Sequence, residues 1–341
     1  MQLSKLQKIL ANEPPYRLKQ AYQAVFENLI ESWEEATNLP KNLRAELNKE
    51  CSLHINARPY ESRDGKTIKA VFILEDRTTV EAVLMRQRDG RNTLCVSSQV
   101  GCPLACEFCA TGRLGYKRGL SSDEIVRQAL FFARSLRANG ERINNIVFMG
   151  MGEPLLNYGE VMKAVHIFND KHMFNIGARK ISISTVGIPK GISKLTNEPL
   201  QINLAVSLHA PNDKIRNELM PINKKYPIGE VLRATAKYIK KTGRRVMIEY
   251  LLLKNINDSP ECARELADLL KHELKRLFFV NLIAYNPAGR YQPSEKQRLE
   301  QFKNILEKSG IAVTQRFRFG RDIRGACGQL AGKQKPRLGR G

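Results

Sequence analysis

A chain of 341 residues, 42% hydrophobic and 26% charged, can bury a full core as one large domain or as a large domain with a small one. No window reaches the roughly 18 uncharged apolar residues of a membrane span, and the opening MQLSKLQKILANEPP lacks the apolar core and small-residue cleavage site of a secretion signal, so no membrane partner and a cytoplasmic location are expected. Lys+Arg of 56 against Asp+Glu of 34 gives +22, which makes a phosphate polymer a natural partner, with a solvated basic surface as the plainer alternative.

Residues 1–50 place apolar side chains at spacings of three and four, in LQKILA, AYQAVFENLIESW and LPKNLRAELNKE, and read as a small N-terminal helical domain. Over 51–92 the pattern becomes alternating, in KAVFILED and TTVEAVLMRQ, with turn signals at Asp64-Gly65 and Asp89-Gly90. That predicts a strand-rich connector. Residues 93–331 alternate strands with helices. Strands are predicted at 94–98, 145–149, 180–185, 202–208, 245–252 and 279–284, with a last one at 312–317. The helix SSDEIVRQALFFARSLRANG opens on a capping box at Ser121 and Glu124. SEKQRLEQFKNILEKSG stops at a lysine and Gly310. Six or so strands followed by helices imply an α/β fold with a parallel sheet and right-handed crossovers. Pattern alone leaves open whether that sheet is flat or a partial barrel. Residues 332–341 read as a basic tail.

Seven cysteines, an odd number, argue against a structural disulfide framework in a chain without a secretion signal. Cys51 and Cys262 read as buried small hydrophobes. Cys102, Cys106 and Cys109 form C-x3-C-x2-C on a loop after the first strand of the alternating region. Three thiolates on a short loop can hold an iron–sulfur cluster, and supplying only three leaves one iron free for another ligand. Phe108 is placed to shield it. A structural zinc is the alternative, but it wants four ligands and no second pair follows.

The turn Gly150-Met151-Gly152-Glu153-Pro154 follows the second strand. Its glycines let backbone approach a ligand closely, and Glu153 can accept hydrogen bonds from an ammonium. Ser184 ends the third strand, Ser207, Leu208 and His209 end the fourth, and Asn286 follows the sixth. Each alone reads as an ordinary strand-end residue. Together they fall at one end of successive strands, as the lining of a pocket would.

The cysteine spacing, with an aromatic before the last cysteine, resembles the signature of the radical S-adenosylmethionine (SAM) superfamily. TLCVSSQVGC, MGMGEPLLN, SLHAPND, MPINKKYP and DIRGACGQL narrow the likeness to the RlmN/Cfr family of ribosomal RNA adenine methyltransferases, over essentially the whole chain. The resemblance implies a partial (β/α)6 barrel and one [4Fe-4S] cluster held by Cys102, Cys106 and Cys109. It also implies SAM contacts from Gly152, Glu153, Ser184, Ser207, Leu208, His209 and Asn286, with two SAM used per turnover. By the same resemblance Cys327 carries the methyl group as S-methylcysteine after displacement on the first SAM. The second SAM yields a radical that turns the S-methyl group into a methylene radical, which adds to an adenine ring carbon. Glu81 accepts the ring proton, and Cys95 resolves the adduct through a transient disulfide with Cys327. A cross-strand ion pair is the plainer reading of Glu81.

The family divides by target carbon. SLHAPND and MPINKKYP are similar to RlmN-like members, which modify carbon 2 of an adenosine in 23S rRNA at the peptidyl transferase centre and in some cases tRNA. Cfr-like members modify carbon 8 of the same rRNA base. The RlmN-like reading is preferred. An electron donor such as flavodoxin or ferredoxin and a monomeric state are expected. Candidate RNA contacts are Lys117 and Arg118, Lys224 and Lys225, the run 240–245, and foremost Arg316, Arg318, Arg321 and Arg324 around Cys327. The N-terminal helices are expected to meet structured RNA by its shape. Two rival readings remain: a radical SAM activase, for which Cys327 would be dispensable, and a cluster-bearing RNA-binding regulator, which would never consume SAM.

Overall fold

The computed structural model describes residues 3–316 and 319–331; Arg318 and the basic tail fall outside them. The N-terminal residues form α1 (Leu3–Ile9), α2 (Pro15–Tyr22) and α3 (Lys41–Glu50). Pro15 opens α2, where its missing N–H leaves no helical bond unmade. Leu6, Leu43 and Leu47 turn inward with Trp33, whose indole donates to the Cys51 carbonyl at 2.8 Å. Cys51 is buried, as expected of a small hydrophobe.

The connector is an antiparallel meander of β1 (Ala57–Glu61), β2 (Thr67–Ile73), β3 (Thr79–Arg86) and β4 (Asn92–Cys95). Gly65 and Gly90 take φ of +65° and +79° in its turns, at the two predicted positions. The chain then makes a ribbon of β5 (Gln99–Gly101) and β6 (Tyr116–Gly119), which no sequence pattern announced. α4 (Ser122–Arg137) carries both hydrogen bonds of the Ser121–Glu124 capping box.

Strands and helices then alternate. β7 (Asn145–Phe148), α5 (Tyr158–Asn169), β8 (Ile181–Thr185), α6 (Pro189–Leu195) and β9 (Asn203–Ser207) lead to α7 (Asp213–Leu219) and α8 (Ile228–Thr242). After these come β10 (Val246–Leu252), α9 (Pro260–Leu274), β11 (Phe278–Ala284), α10 (Lys296–Lys308) and β12 (Val313–Gln315). The ten main strands form one sheet, ordered β1-β2-β3-β4-β7-β8-β9-β10-β11-β12. Pairing is antiparallel up to β4 and parallel from β4 onward. The first strand of the alternating region stops at Cys95, earlier than predicted. There the chain leaves the ladder and the Ser97 hydroxyl turns to the Glu81 carbonyl.

Side chains from β3, β4 and β7 through β11 border a single cavity, so the sheet curls into a partial barrel rather than lying open. Residues 319–331 return from β12 across the gap to the first strands. Asp322 accepts the Arg63 N–H at 2.9 Å, and the Ala331 N–H reaches Glu81 Oε2 at 3.0 Å. The larger of two apolar clusters runs from Leu3 to Leu330. Arg134 of α4 fastens the N-terminal helices to the barrel through the carbonyls of Ile30 and Leu53. Among the described residues no helix is long and apolar enough to cross a membrane.

Candidate active site

The cavity opens at the carboxyl ends of the parallel strands, where α/β barrels gather their chemistry. One wall is the loop between β5 and β6. Gly101 enters it at φ +78°, and a Cβ there would lie 1.9 Å from the Gly115 carbonyl oxygen. That same oxygen accepts the Cys102 N–H at 2.9 Å. Gly112 sits against the backbone of Cys106, leaving 2.9 Å for a Cβ. Only glycine permits both approaches. Gly101→Ala is therefore expected to spring the loop and lower the iron and sulfide content of the reconstituted protein several-fold, measured against unchanged helical content by circular dichroism.

Cys102, Cys106 and Cys109 all face the cavity. Burial pushes the Cys102 thiol up to about 12 and the Cys106 thiol well above its ordinary value, and the neighbouring cysteines push both the same way. Thiols so placed stay protonated until a metal centre discharges them. The loop supplies three thiols, one short of the four ligands a structural zinc takes. A multi-iron cube, whose ligands stand further apart, fits three thiols on one looped wall.

Beside the cysteines, Gly152 takes φ +102° with room for no Cβ against Gln99, whose amide oxygen accepts the Glu153 N–H at 2.9 Å. The buried Glu153 carboxylate accepts the N–H groups of Leu155 at 3.0 Å and Val186 at 2.9 Å. Burial outweighs these bonds and raises its pKa to about 7. His209, at φ +61°, accepts the Leu251 N–H on Nδ1 at 3.1 Å, so its ring proton sits on Nε2. Burial and then the Arg216 charge bring its pKa down to about 3. Phe108 stands edge-on to it, 5.1 Å between centroids, and lines the same cavity. Asn286 donates to the Cys327 carbonyl at 3.4 Å, while its own Oδ1 is buried with no partner. An orphaned acceptor in a cavity wall is what a polar ligand would satisfy. Leu208 alone of the predicted pocket residues is missing from the wall. Its side chain is buried in the core, and its backbone bonds Glu249 and Arg216.

Cys95, at the end of β4, and Cys327, from the returning C-terminal segment, line this cavity together. Cys95 is buried, whereas Cys327 sits at the rim and keeps an exposed face. Burial takes the Cys95 thiol up to about 12, and the neighbouring Cys327 adds to the rise. Lost hydration among the cavity walls raises the Cys327 thiol as well, while the Arg316 guanidinium pulls both thiols down. Arg316 was expected on the RNA surface. It points inward instead, 3.2 Å from Glu249 Oε1 and 3.2 Å from Met149 Sδ, and is the sole Arg or Lys on the described wall. The other Glu249 oxygen accepts the Ser184 hydroxyl at 2.6 Å and the Ser207 hydroxyl at 3.1 Å. Arg118 is held by Asp76 and by both oxygens of Glu124 at 2.8 Å and stays half-buried. Lys117, Lys224, Lys225, Arg321 and Arg324 remain exposed.

Glu81 borders a second cavity with Lys69, Arg113, Arg324 and Ala331. Its carboxylate is buried, 3.1 Å from the Lys69 ammonium on the adjacent strand, so the cross-strand ion pair exists. Glu249 escaped the sequence reading altogether. The available signal was a lone glutamate inside the apolar strand VMIEYLL, a position that burial makes unfavourable unless a partner awaits it.

Residues 96–270, from the end of β4 into α9, match the radical SAM superfamily. The fold is similar, at TM-score 0.92, to a radical SAM methyltransferase from Sphaerobacter thermophilus that is 42% identical, with 98% of each chain covered. The chain is 47% identical to the probable dual-specificity RNA methyltransferase RlmN of Chloroflexus aurantiacus, covering 97% of this chain and 91% of that protein. The protein of the same description from Symbiobacterium thermophilum is 44% identical, covering 100% and 92%. The chain belongs to the RlmN family of radical SAM methyltransferases. Membership implies a [4Fe-4S] cluster and SAM, and it sets aside the activase and regulator readings.

Proposed function

We propose that this enzyme methylates carbon 2 of an adenosine in 23S rRNA at the peptidyl transferase centre, and of a tRNA adenosine as well, through a methyl group carried on Cys327. The observation that supports this most is the meeting of Cys95 and Cys327, from distant parts of the chain, in the cavity that holds the three-cysteine loop. Cys102, Cys106 and Cys109 would hold the cluster. Gly152, Glu153, Ser184, Ser207, His209 and Asn286 would surround SAM, with the orphaned Asn286 Oδ1 and the Glu153 carboxylate as acceptors. Leu208 supports them from behind through its backbone. When bound, cluster and SAM supply a 5′-deoxyadenosyl radical, and two SAM are used per turnover.

The chain's own groups do the rest. Arg316 is the cation that favours a thiolate on Cys327 and then on Cys95. Glu249 holds Arg316 in place and is itself held by two serines. Apolar side chains of Val83, Leu104, Phe108 and Ile283 keep water from a radical site. Glu81, paired with Lys69 and bonded by the Ala331 N–H, takes the ring proton. A small electron-transfer protein such as flavodoxin or ferredoxin reduces the cluster, and the enzyme acts as a cytoplasmic monomer.

The test is mass spectrometry of adenosines from 23S rRNA and tRNA in a host that lacks its own family member and expresses this chain. 2-Methyladenosine in both RNAs is expected. 8-Methyladenosine, the Cfr-like outcome, would overturn the carbon assignment, and an unmodified tRNA would remove the second substrate.

A further inference from the structure

The end of the barrel opposite the catalytic cavity carries a charge pattern that the reaction does not use. One cleft there lies between the entries to β8, β9 and β10 and is bordered by Arg179, Lys241, Arg244 and Arg245. A second, sharing Arg245, lies at the entries to β10, β11 and β12 and adds Lys271, Lys275 and Arg276. Ion pairs occupy many cations elsewhere on the surface, yet among the described residues none is made by any of these seven. The partners of four of them are neutral. Arg179 donates to Gln201, Lys241 to Asn197, Arg244 to Asn203, and Arg245 to the Phe278 carbonyl while lying 4.6 Å over the Phe279 ring. Arg244 Nε is buried with no acceptor. The first cleft has one carboxylate, Glu198, which accepts the Tyr158 hydroxyl at 2.6 Å; the second has none.

Seven like charges without a carboxylate among their partners repel one another and cost stability, so the arrangement favours an external polyanion. Guanidinium groups in paired concave clefts suit phosphates spaced along a backbone better than a flat lipid surface. We infer that this basic end of the barrel is a second RNA-backbone site, which holds a distant helix of a large folded RNA while the target adenosine occupies the cavity at the other end. The inference rests on RNA being the substrate. It makes the enzyme a reader of extended RNA architecture, with short substrates engaging the catalytic end alone.

The experiment uses the full chain with Arg179→Gln, Arg245→Gln, Lys275→Gln and Arg276→Gln combined, and Arg245→Lys as the conservative control. Two probes are compared: a long 23S rRNA fragment spanning several helices, and a short stem-loop carrying only the target adenosine. For the long fragment Kd is expected to rise about 10- to 100-fold at physiological salt, and the slope of log K against log salt to flatten by about one for each phosphate no longer neutralised. Stem-loop binding and methylation should stay within about twofold of wild type, and Arg245→Lys should keep most of the affinity. Unchanged binding of the long fragment would overturn the inference. So would equal loss on both probes with an unchanged Tm, which would place these cations on the catalytic face, or loss of anionic-vesicle binding with RNA binding intact. Should the wild type methylate neither RNA, the function proposed above fails, while direct binding of the long fragment still decides this site.

Discussion

Cys95→Ala, purified from cells, carries RNA covalently attached through Cys327, whereas Cys327→Ala carries none. The expectation follows from the roles proposed above for two thiols that share one cavity. On those roles, without Cys327 no carbon is delivered and no bond to RNA forms. Without Cys95 the bond forms and nothing releases it. Both variants should lose methylation by at least about a thousandfold, since residues that act as a unit fail together. Nuclease digestion followed by intact mass separates them: a protein-plus-nucleotide mass for Cys95→Ala, the bare chain for Cys327→Ala. Equal adducts in both variants would sink the assigned roles.

The second large effect concerns Arg316 and Glu249, and its signs are opposed. Cys95 already titrates at about 12 because burial disfavours its thiolate, with Arg316 pulling down and Glu249 pushing up. Arg316→Met removes the downward pull, so less thiolate exists at any given pH. A shift of one unit slows alkylation of Cys95 by a small thiol reagent about tenfold at pH ~9. Glu249→Gln keeps a group able to bond Ser184 and Ser207 but removes the negative charge. Alkylation should then quicken several-fold and its pH profile move down. Both rates are read by peptide mass spectrometry on cluster-free protein, so cluster assembly does not enter. If both substitutions slow the reaction, cavity packing rather than charge controls the thiol.

Much of this architecture was legible in the chain. The parallel strands announced themselves because their core-facing positions are apolar and turn residues bracket each one. The meander was readable at Asp64-Gly65 and Asp89-Gly90, where glycine supplies a left-handed turn. The β5–β6 ribbon was not, since three residues paired with four leave no periodicity to detect. Spacing exposed the three-cysteine loop. Arg316 misled, because a run of arginines beside a functional cysteine looks the same whether it meets phosphate or an internal carboxylate. Only the strand order, which sets β10 and the end of β12 on either side of β11 with Glu249 and Arg316 both on the cavity wall, distinguishes them. Leu208 lies behind the wall because alternation turns its side chain to the core while its neighbours Ser207 and His209 face the cavity.

The return of residues 319–331 also orders events during synthesis. The three-cysteine loop is complete once Cys109 has been made, while its cover comes from the last described residues: Gly328 O takes the Ala110 N–H at 2.8 Å and Leu330 O takes the Thr111 hydroxyl at 2.7 Å. Pairings between residues 110 and 328, and between 111 and 330, close late, after the loop entropy of the intervening chain has been overcome. A growing polypeptide therefore presents its thiols uncovered to whatever delivers iron and sulfide. Cys327 arrives more than two hundred residues after Cys109, and the segment that carries it then covers the loop through Gly328 and Leu330.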